Sequence, residues 1–376
     1  MFCAYHANAQ CHSCEHIDCS YPEQINQKQT RLKRQLNISD KQLLPLITSA
    51  ETRCRNKAKM VVLGVAQSPI LGIESVSSGE PVSLGECALY TQSLQDLITA
   101  LPAWMQNSGL VPYNKIKRKG ELKYILITES TANQDVMIRF IMHSENQLNR
   151  ITNNLPLLLS TFPKVKVVTV NIQPVHMARL EGEKEIFLTE QHEIVEILNE
   201  IPLSIRPKSF FQTNSRVAEQ LYKTVAKWVK ESNVENIWDL FCGVGGFALH
   251  CAPYVKSVTG IEIEPEAIRS AQHSAKLIGI NNIEFAALDS RQFSESSENK
   301  PDLIIVNPPR RGLGKDLVEI LNRISPKKII YSSCNPDTLI KDLELLDYTL
   351  VRAQGFDMFP HTPHLEAAVE LIKKPV

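Results

Sequence analysis

The sequence lacks any surplus of charge: 41 Lys and Arg residues balance 41 Asp and Glu over 376 positions. That balance excludes a protein that holds nucleic acid through general positive charge and leaves the task to local basic patches. No run approaches the roughly 20 apolar residues needed to cross a bilayer. The first 20 residues, MFCAYHANAQCHSCEHIDCS, lack the apolar stretch of a signal peptide, so a cytoplasmic location is expected. Repeats and low-complexity segments are also missing, which excludes solenoids and flexible tails. What is present is a globular composition, 43% apolar and 22% charged, long enough for two or three domains with sizeable cores. Cysteine is unevenly placed. Four of the nine fall within the first 19 residues, and in a reducing compartment disulfides do not account for them.

Local patterning divides the chain into a Cys- and His-rich start, an α+β stretch and an α/β half. KMVVLGVAQSPILGI (59–73) reads as strand, turn, strand, residues 88–107 as a helix, and ELKYILITES with DVMIRFIMH as a hairpin. After about residue 200 apolar strands alternate with helices, the rhythm of a parallel sheet covered on both faces. The expected divisions are residues 1–90, 91–200 and 201–376.

Within the last division, WDLFCGVGGFA places Gly243, Gly245 and Ala248 at a strand-to-helix turn, where glycines let the backbone approach a ligand. Glu262 ends the next strand, placed to accept hydrogen bonds from ribose hydroxyls. Those features also suit a dinucleotide-binding oxidoreductase. Asp289 ends the third strand, a position from which it could contact an adenine. Asn307-Pro308-Pro309 follows the fourth, a strand-terminal sequence that belongs to methyltransferases rather than dehydrogenases. Amino-group methyltransferases usually place an aromatic after the prolines, whereas Arg310 and Arg311 stand here. Cys334, in IIYSSCNP, lies at a strand's carboxyl end just before a helix, where ligands of open α/β sheets bind and a thiol can ionise more easily. Glu366, in PHTPHLEAAVEL, is the candidate base.

Together these segments resemble a known family, the RNA 5-methyluridine methyltransferases. FFQTN (210–214), DLFCGVGGF (239–247), GIE (260–262), NPPRRG (307–312), SSCN (332–335) and HLE (364–366) occur in that family's order and approximate spacing. RCRNKAKMVV (53–62) and the compact N-terminus are similar to the branch acting on uridine 747 of bacterial 23S rRNA. The resemblance implies a Rossmann-like, S-adenosylmethionine-dependent methyltransferase domain, preceded by an α+β domain and a short iron–sulfur segment. It implies Gln212, Phe241, Glu262 and Asn307 as contacts to S-adenosylmethionine, Cys334 as nucleophile, Glu366 as base and 23S rRNA as partner. Asn307 stands where many members carry Asp, so the contact expected there is an uncharged one. The chemistry has a physical motive. Carbon 5 of uracil is a poor nucleophile until a thiolate adds to carbon 6, and a base must then remove the carbon 5 proton.

Cys3, Cys11 and Cys14, with Cys87 as a distant fourth, form a thiolate set suited to zinc or an iron–sulfur cluster; Cys19, His6, His12 and His16 are alternative ligands. The resemblance implies a [4Fe-4S] cluster on Cys3, Cys11, Cys14 and Cys87. Two basic groups are candidate RNA contacts: Arg53, Arg55, Lys57 and Lys59, and then Lys115, Lys117, Arg118, Lys119 and Lys123 beside Tyr113 and Tyr124. Competing readings are a methyltransferase for another rRNA or tRNA uridine, a base N-methyltransferase that would not need Cys334, and an iron–sulfur RNA-binding protein with a vestigial enzyme domain.

Overall fold

The computed structural model describes residues 1–175, 180–296 and 300–374. From the N-terminus come α1 (Ala4–Ala7), α2 (Tyr21–Leu36) and β1 (Leu43–Ile47). Next are β2 (Lys57–Val65), β3 (Ser68–Glu74), β4 (Pro81–Ser83), α3 (Gln92–Ser108), β5 (Leu122–Glu129), β6 (Val136–Met142), α4 (Leu148–Thr161), β7 (Val165–Ile172) and β8 (Lys184–Phe187). A two-stranded pair follows, β9 (Ile194–Leu198) and β10 (Ile201–Ile205). The remaining elements are α5 (Ser215–Glu231), β11 (Asn236–Leu240), α6 (Gly246–Cys251), β12 (Ser257–Glu262), α7 (Pro265–Leu277), β13 (Ile283–Ala287), α8 (Ser290–Ser296) and β14 (Leu303–Val306). The chain ends with α9 (Lys315–Ile324), β15 (Lys328–Ser333), α10 (Pro336–Leu345), β16 (Tyr348–Phe356) and β17 (Glu366–Lys373).

The chain forms two compact units. One comprises Met1–Glu15 and Glu51–Glu196, the other His16–Ala50 and Ile197–Val376. The expected break at residue 90 is absent because β2, β3 and β4 hydrogen-bond into one sheet with β5 to β8. Residues 16–50 join the second unit because β1 pairs with β16.

In the first unit a seven-stranded sheet runs β4-β3-β2-β5-β6-β7-β8, antiparallel except for β6 with β7. The expected strand–turn–strand and hairpin are β2–β3 and β5–β6. The helix α3 explains the covered face. Thr91 caps it by accepting from the Leu94 N–H, Gly109 ends it at φ 67°, and Leu94, Leu97, Ile98, Leu101 and Met105 form one apolar stripe. That stripe packs with Ala58, Met60, Ile125, Ile138 and Phe140 into the core.

The second unit holds an eight-stranded sheet in the order β1-β16-β17-β15-β14-β11-β12-β13. β13, β12, β11, β14 and β15 are parallel, and β17 runs antiparallel between β15 and β16. The near-continuous apolar strands β14 (LIIV) and β15 (KIIYSS) are buried, as sheets covered on both faces require. β1 was not expected; LLPLI carries Pro45, tolerated because the strand is at the sheet's edge. The helix α2 is anchored by Lys28, 1% exposed, whose ammonium is 2.5 Å from Asp357 and also donates to the Phe359 carbonyl. No helix among the described residues is long and apolar enough to cross a membrane.

Candidate active site

The Gly-rich turn joins the end of β11 to α6. Phe241, Gly243 and Gly245 have φ of 63°, 55° and 82°. A Cβ on Gly245 would lie 2.9 Å from the Phe285 ring, so glycine is needed for packing as well as for backbone conformation. At Gly243 a Cβ would meet only the Phe210 carbonyl, at 3.8 Å, so the 210–212 segment lies close over an open backbone stretch. Gln212, in that segment, is 5% exposed.

Carboxylates hold the turn. Glu262, at the end of β12, accepts from Gly243 N–H at 3.2 Å through one oxygen and from Ile263 and Glu264 N–H through the other. Asp239, in the middle of the buried β11, accepts from Ala248 N–H at 2.9 Å, while its second oxygen is buried with no partner among the described residues. Burial raises the Asp239 carboxyl to about 8, opposed by the Ala248 hydrogen bond and reinforced by Glu262. Asn307 directly follows β14 and donates its N–H to the Leu240 carbonyl at 3.3 Å. A cleft of about 440 Å³ opens here, lined by Phe241, Asp289, Arg311, Leu313 and neighbours. The carboxyl ends of β11, β12, β13 and β14 thus bring together Phe241, Glu262, Asp289 and Asn307.

Cys334 and Glu366 meet at the next part of the same edge. β15 ends at Ser333, which pairs with Ala367 of the antiparallel β17, so Cys334 and Glu366 follow and precede a paired position. Glu366 is 2% exposed and accepts from the Ser332 hydroxyl at 2.6 Å. Burial pushes its carboxyl up to about 7, with the Ser332 hydrogen bond pulling the other way. The Cys334 thiol is raised by burial and by Glu366, while Arg310 opposes both through its charge and a hydrogen bond to the sulfur. Asn335 and Thr338 fix Arg310 by donating to its carbonyl at 3.0 and 3.1 Å. A pocket of about 270 Å³ opens onto Cys334, with Arg310, Arg31 and His364 among its walls. Asp239, Arg310 in this role and Arg31 were missed in the sequence. An acid inside the apolar WDLF was the available signal for Asp239; nothing local points from Arg31 to Cys334.

The four other predicted ligands belong to the first unit. Cys3, Cys11, Cys14 and Cys87 are unpaired thiols, all partly buried. Cys14 is near enough to feel the charge of the other three, and burial followed by their repulsion raises it to about 12. Among the described residues no group of three or more His, Cys, Asp or Glu side chains is arranged around a single metal ion. Arg53 donates to Gln92, Arg55 to the Lys57 carbonyl, and burial lowers Lys57 to about 8.

The family model for tRNA (uracil-5-)-methyltransferase matches residues 20–374. The chain belongs to this family. Among curated relatives of this uracil-5 methyltransferase are the Vibrio cholerae protein named 23S rRNA (uracil(747)-C(5))-methyltransferase RlmC, 54% identical over 376 residues and 100% of both chains, and a Vibrio vulnificus protein of the same name, 52% identical over the same extent. A Shewanella baltica protein, also so named, is 51% identical over 99% of this chain and 97% of its own. Among solved structures, the Pyrococcus abyssi tRNA (uracil-54, C5)-methyltransferase in complex with S-adenosyl-L-homocysteine superposes with a TM-score of 0.81. It is 27% identical, with 96% of this chain and 86% of that one covered. The α/β methyltransferase fold expected from the sequence is thereby established.

Proposed function

We propose that this protein methylates carbon 5 of a uridine in 23S rRNA, at position 747 as its relatives' names state, using S-adenosylmethionine and a covalent Cys334 adduct. The observation that carries the mechanism is the approach of Cys334 to the buried Glu366, the two residues flanking the Ser333–Ala367 pair of β15 and β17. The turn suits S-adenosylmethionine: the backbone is left open at Gly243, and the Glu262 carboxylate and an orphaned buried Asp239 oxygen offer partners to a polar ligand. Gln212, Phe241, Glu262 and Asn307 would hold it. When bound, it supplies a methyl group on a positively charged sulfur, open to attack by an electron-rich carbon.

Arg310 favours the Cys334 thiolate, which adds to carbon 6 of the uracil and forms a C–S bond. The electron pair moves to carbon 5 and the O4 enolate, and carbon 5 would take the methyl as its bond to the donor sulfur breaks, the bond's electrons staying on that sulfur as a neutral thioether. Glu366, as carboxylate, then removes the carbon 5 proton; the double bond reforms and the Cys334 thiolate leaves. With a carboxyl near pKa 7, the same group is a competent base and can return its proton to water.

The Cys3, Cys11, Cys14 and Cys87 set is our candidate holder of a [4Fe-4S] cluster. The donors are all sulfur and free of disulfides, and they lie within one another's electrostatic reach. Bound iron would reverse the upward shift at Cys14 by stabilising the thiolate. Its role would be structural or in RNA binding, since methyl transfer moves no net electrons.

The deciding experiment uses 23S rRNA fragments carrying 5-fluorouridine at position 747, with tRNA transcripts as a second substrate. Fluorine cannot leave as a proton, so a stable protein–RNA adduct should form on Cys334 and be absent in Cys334→Ala. Turnover by Cys334→Ala would overturn the covalent route, and an adduct on tRNA alone would overturn the rRNA assignment.

A further inference from the structure

A pocket of about 480 Å³ on the first unit contains neither Cys334 nor Glu366. Its walls come from β2, β5 and the turn between α3 and β5, with Val61, Leu63, Tyr113, Tyr124 and Ile116 among them. Tyr113 is 9% exposed and held on both faces: its ring stacks on His143, centroids 5.2 Å apart, and the Lys123 ammonium stands 4.7 Å from its centroid. Lys123 is itself fixed, donating to the Gln173 carbonyl at 2.6 Å, to the Gln173 side chain and to the Val175 carbonyl at 2.9 Å. Tyr124, on β5, is only half buried.

The rim of this pocket is basic and built to a fixed shape. Asn114 pairs with Lys119 across a tight turn, and its side-chain oxygen accepts from Lys117 N–H at 2.8 Å. Gly120 has φ 101°, and a Cβ there would strike the Pro112 carbonyl at 2.1 Å. The tip, Lys115-Ile116-Lys117-Arg118, is exposed, with Ile116 at 94%. Three cations around a bare isoleucine, next to an aromatic pocket, fit a ligand that is anionic outside and flat and apolar inside. An unpaired nucleotide has both properties. Glu74, also in the wall and 3.7 Å from Lys115, offers an acceptor to a base N–H.

We propose that this pocket binds one unpaired nucleotide of the RNA substrate other than the methylated uridine, its base against Tyr124 and its phosphates on Lys115, Lys117 and Arg118. The proposal rests on the RNA-methyltransferase reading above. The base enters the cleft, Ile116 covers its outer edge, and the cations follow the backbone on either side. The pocket thereby fixes which loop of the RNA is bound, separately from the chemistry at Cys334.

The test uses the full-length protein and a 23S rRNA fragment containing the substrate loop, with photoreactive 5-iodouridine placed in turn at each unpaired position. Tyr124→Ala should raise the Kd for this RNA by about five- to a hundred-fold, the range of one lost base–aromatic stack. Tyr124→Phe should stay near wild type. Lys117→Glu with Arg118→Glu, on an exposed turn that cannot disturb the core, should weaken binding and flatten the dependence of log Kd on log salt by about 1.4 for two lost single-strand phosphate contacts. Cross-links should fall within residues 113–124 from a nucleotide other than 747, while affinity for S-adenosylmethionine is unchanged. Unchanged Kd in the charge-reversed protein, or cross-links that never reach this segment, would overturn the pocket. Binding and cross-linking are read without methyl transfer, so a wild-type protein that binds the RNA yet methylates nothing counts against the function, not the pocket.

Discussion

Glu366 couples catalysis to stability in a way that one substitution exposes. Its carboxyl is 2% exposed and lies near pKa 7 in the folded protein against 4.5 as a free side chain. Below pH 4.5 the group is protonated whether the chain is folded or not, and its buried neutral form costs nothing extra. Between pH 4.5 and 7 the unfolded chain releases the proton while the folded one keeps it, so stability falls as pH rises and the loss is complete above the folded pKa. The buried acid thus costs the folded state about 3 kcal/mol above its folded pKa.

Glu366→Gln removes this titration while leaving an amide oxygen for the Ser332 hydroxyl. Urea or thermal unfolding of both proteins at pH 5 and pH 8 should show the variant gaining about 2–3 kcal/mol relative to wild type between the two pH values. For a unit of this size that equals a relative Tm shift of roughly 5–10 °C. The same substitution should cut turnover by about a hundred- to ten-thousand-fold and let the methylated Cys334–uracil adduct accumulate on unmodified RNA, because carbon 5 keeps its proton. Wild-type activity should rise with pH through about 7 as Glu366 ionises, and keep rising above it as the raised Cys334 thiol ionises. A variant whose stability difference from wild type is flat from pH 5 to pH 8 would refute the buried-acid reasoning. Free turnover without adduct would refute the base assignment.

Other perturbations test the frame around the site. Asp357→Ala strands the Lys28 ammonium, 1% exposed, and should destabilise by about 3–5 kcal/mol, whereas Lys28→Met with Asp357→Leu should restore most of it, measured by urea unfolding. Asp342→Ala leaves the buried Tyr331 hydroxyl and the Leu313 N–H without their shared acceptor, at 2.7 and 2.8 Å; about 2–4 kcal/mol should be lost in chemical denaturation and activity should drop as the 307–313 loop loosens. Cys14→Ser should lower the iron and acid-labile sulfide content of anaerobically purified protein from about four of each per chain toward zero; equal, near-zero iron in wild type and variant would contradict the cluster.

The second unit was legible because its information is local. The apolar runs of β14 (LIIV) and β15 (KIIYSS) and the glycine turn after β11 are marked locally, and the residues that matter sit at or just past strand ends, where position along the chain fixes position in space. The same reasoning placed Cys334 and Glu366 near strand termini but could not place them together. Their meeting depends on β17 inserting antiparallel beside β15, a register no local pattern encodes. β1 was missed for a related reason: its partner on β16 lies 310 residues away, Leu43 pairing with Ala353. Lys57 misled in the opposite direction. A basic residue in an alternating strand reads as solvent-facing, yet its neighbours Arg139, Glu181 and Glu185 form a buried ion network on that side of the sheet.

Two of the residues that escaped the sequence reading, Arg310 and Arg31, act on groups far along the chain. Arg310 reaches the sulfur of Cys334, and its carbonyl is gripped from α10 by Asn335 and Thr338. Arg31, from α2, donates to the Pro363 carbonyl and walls the pocket of Cys334. A thiol raised by burial and by a neighbouring acid is a poor nucleophile unless a cation is fixed beside it. The arrangement therefore assigns the energetic burden of thiolate formation to Arg310 and the loop that carries it. This explains in physical terms why an arginine follows Asn307-Pro308-Pro309 here, where amino-group methyltransferases usually need a stacking aromatic: the base to be methylated is activated by a sulfur, and the sulfur needs a charge.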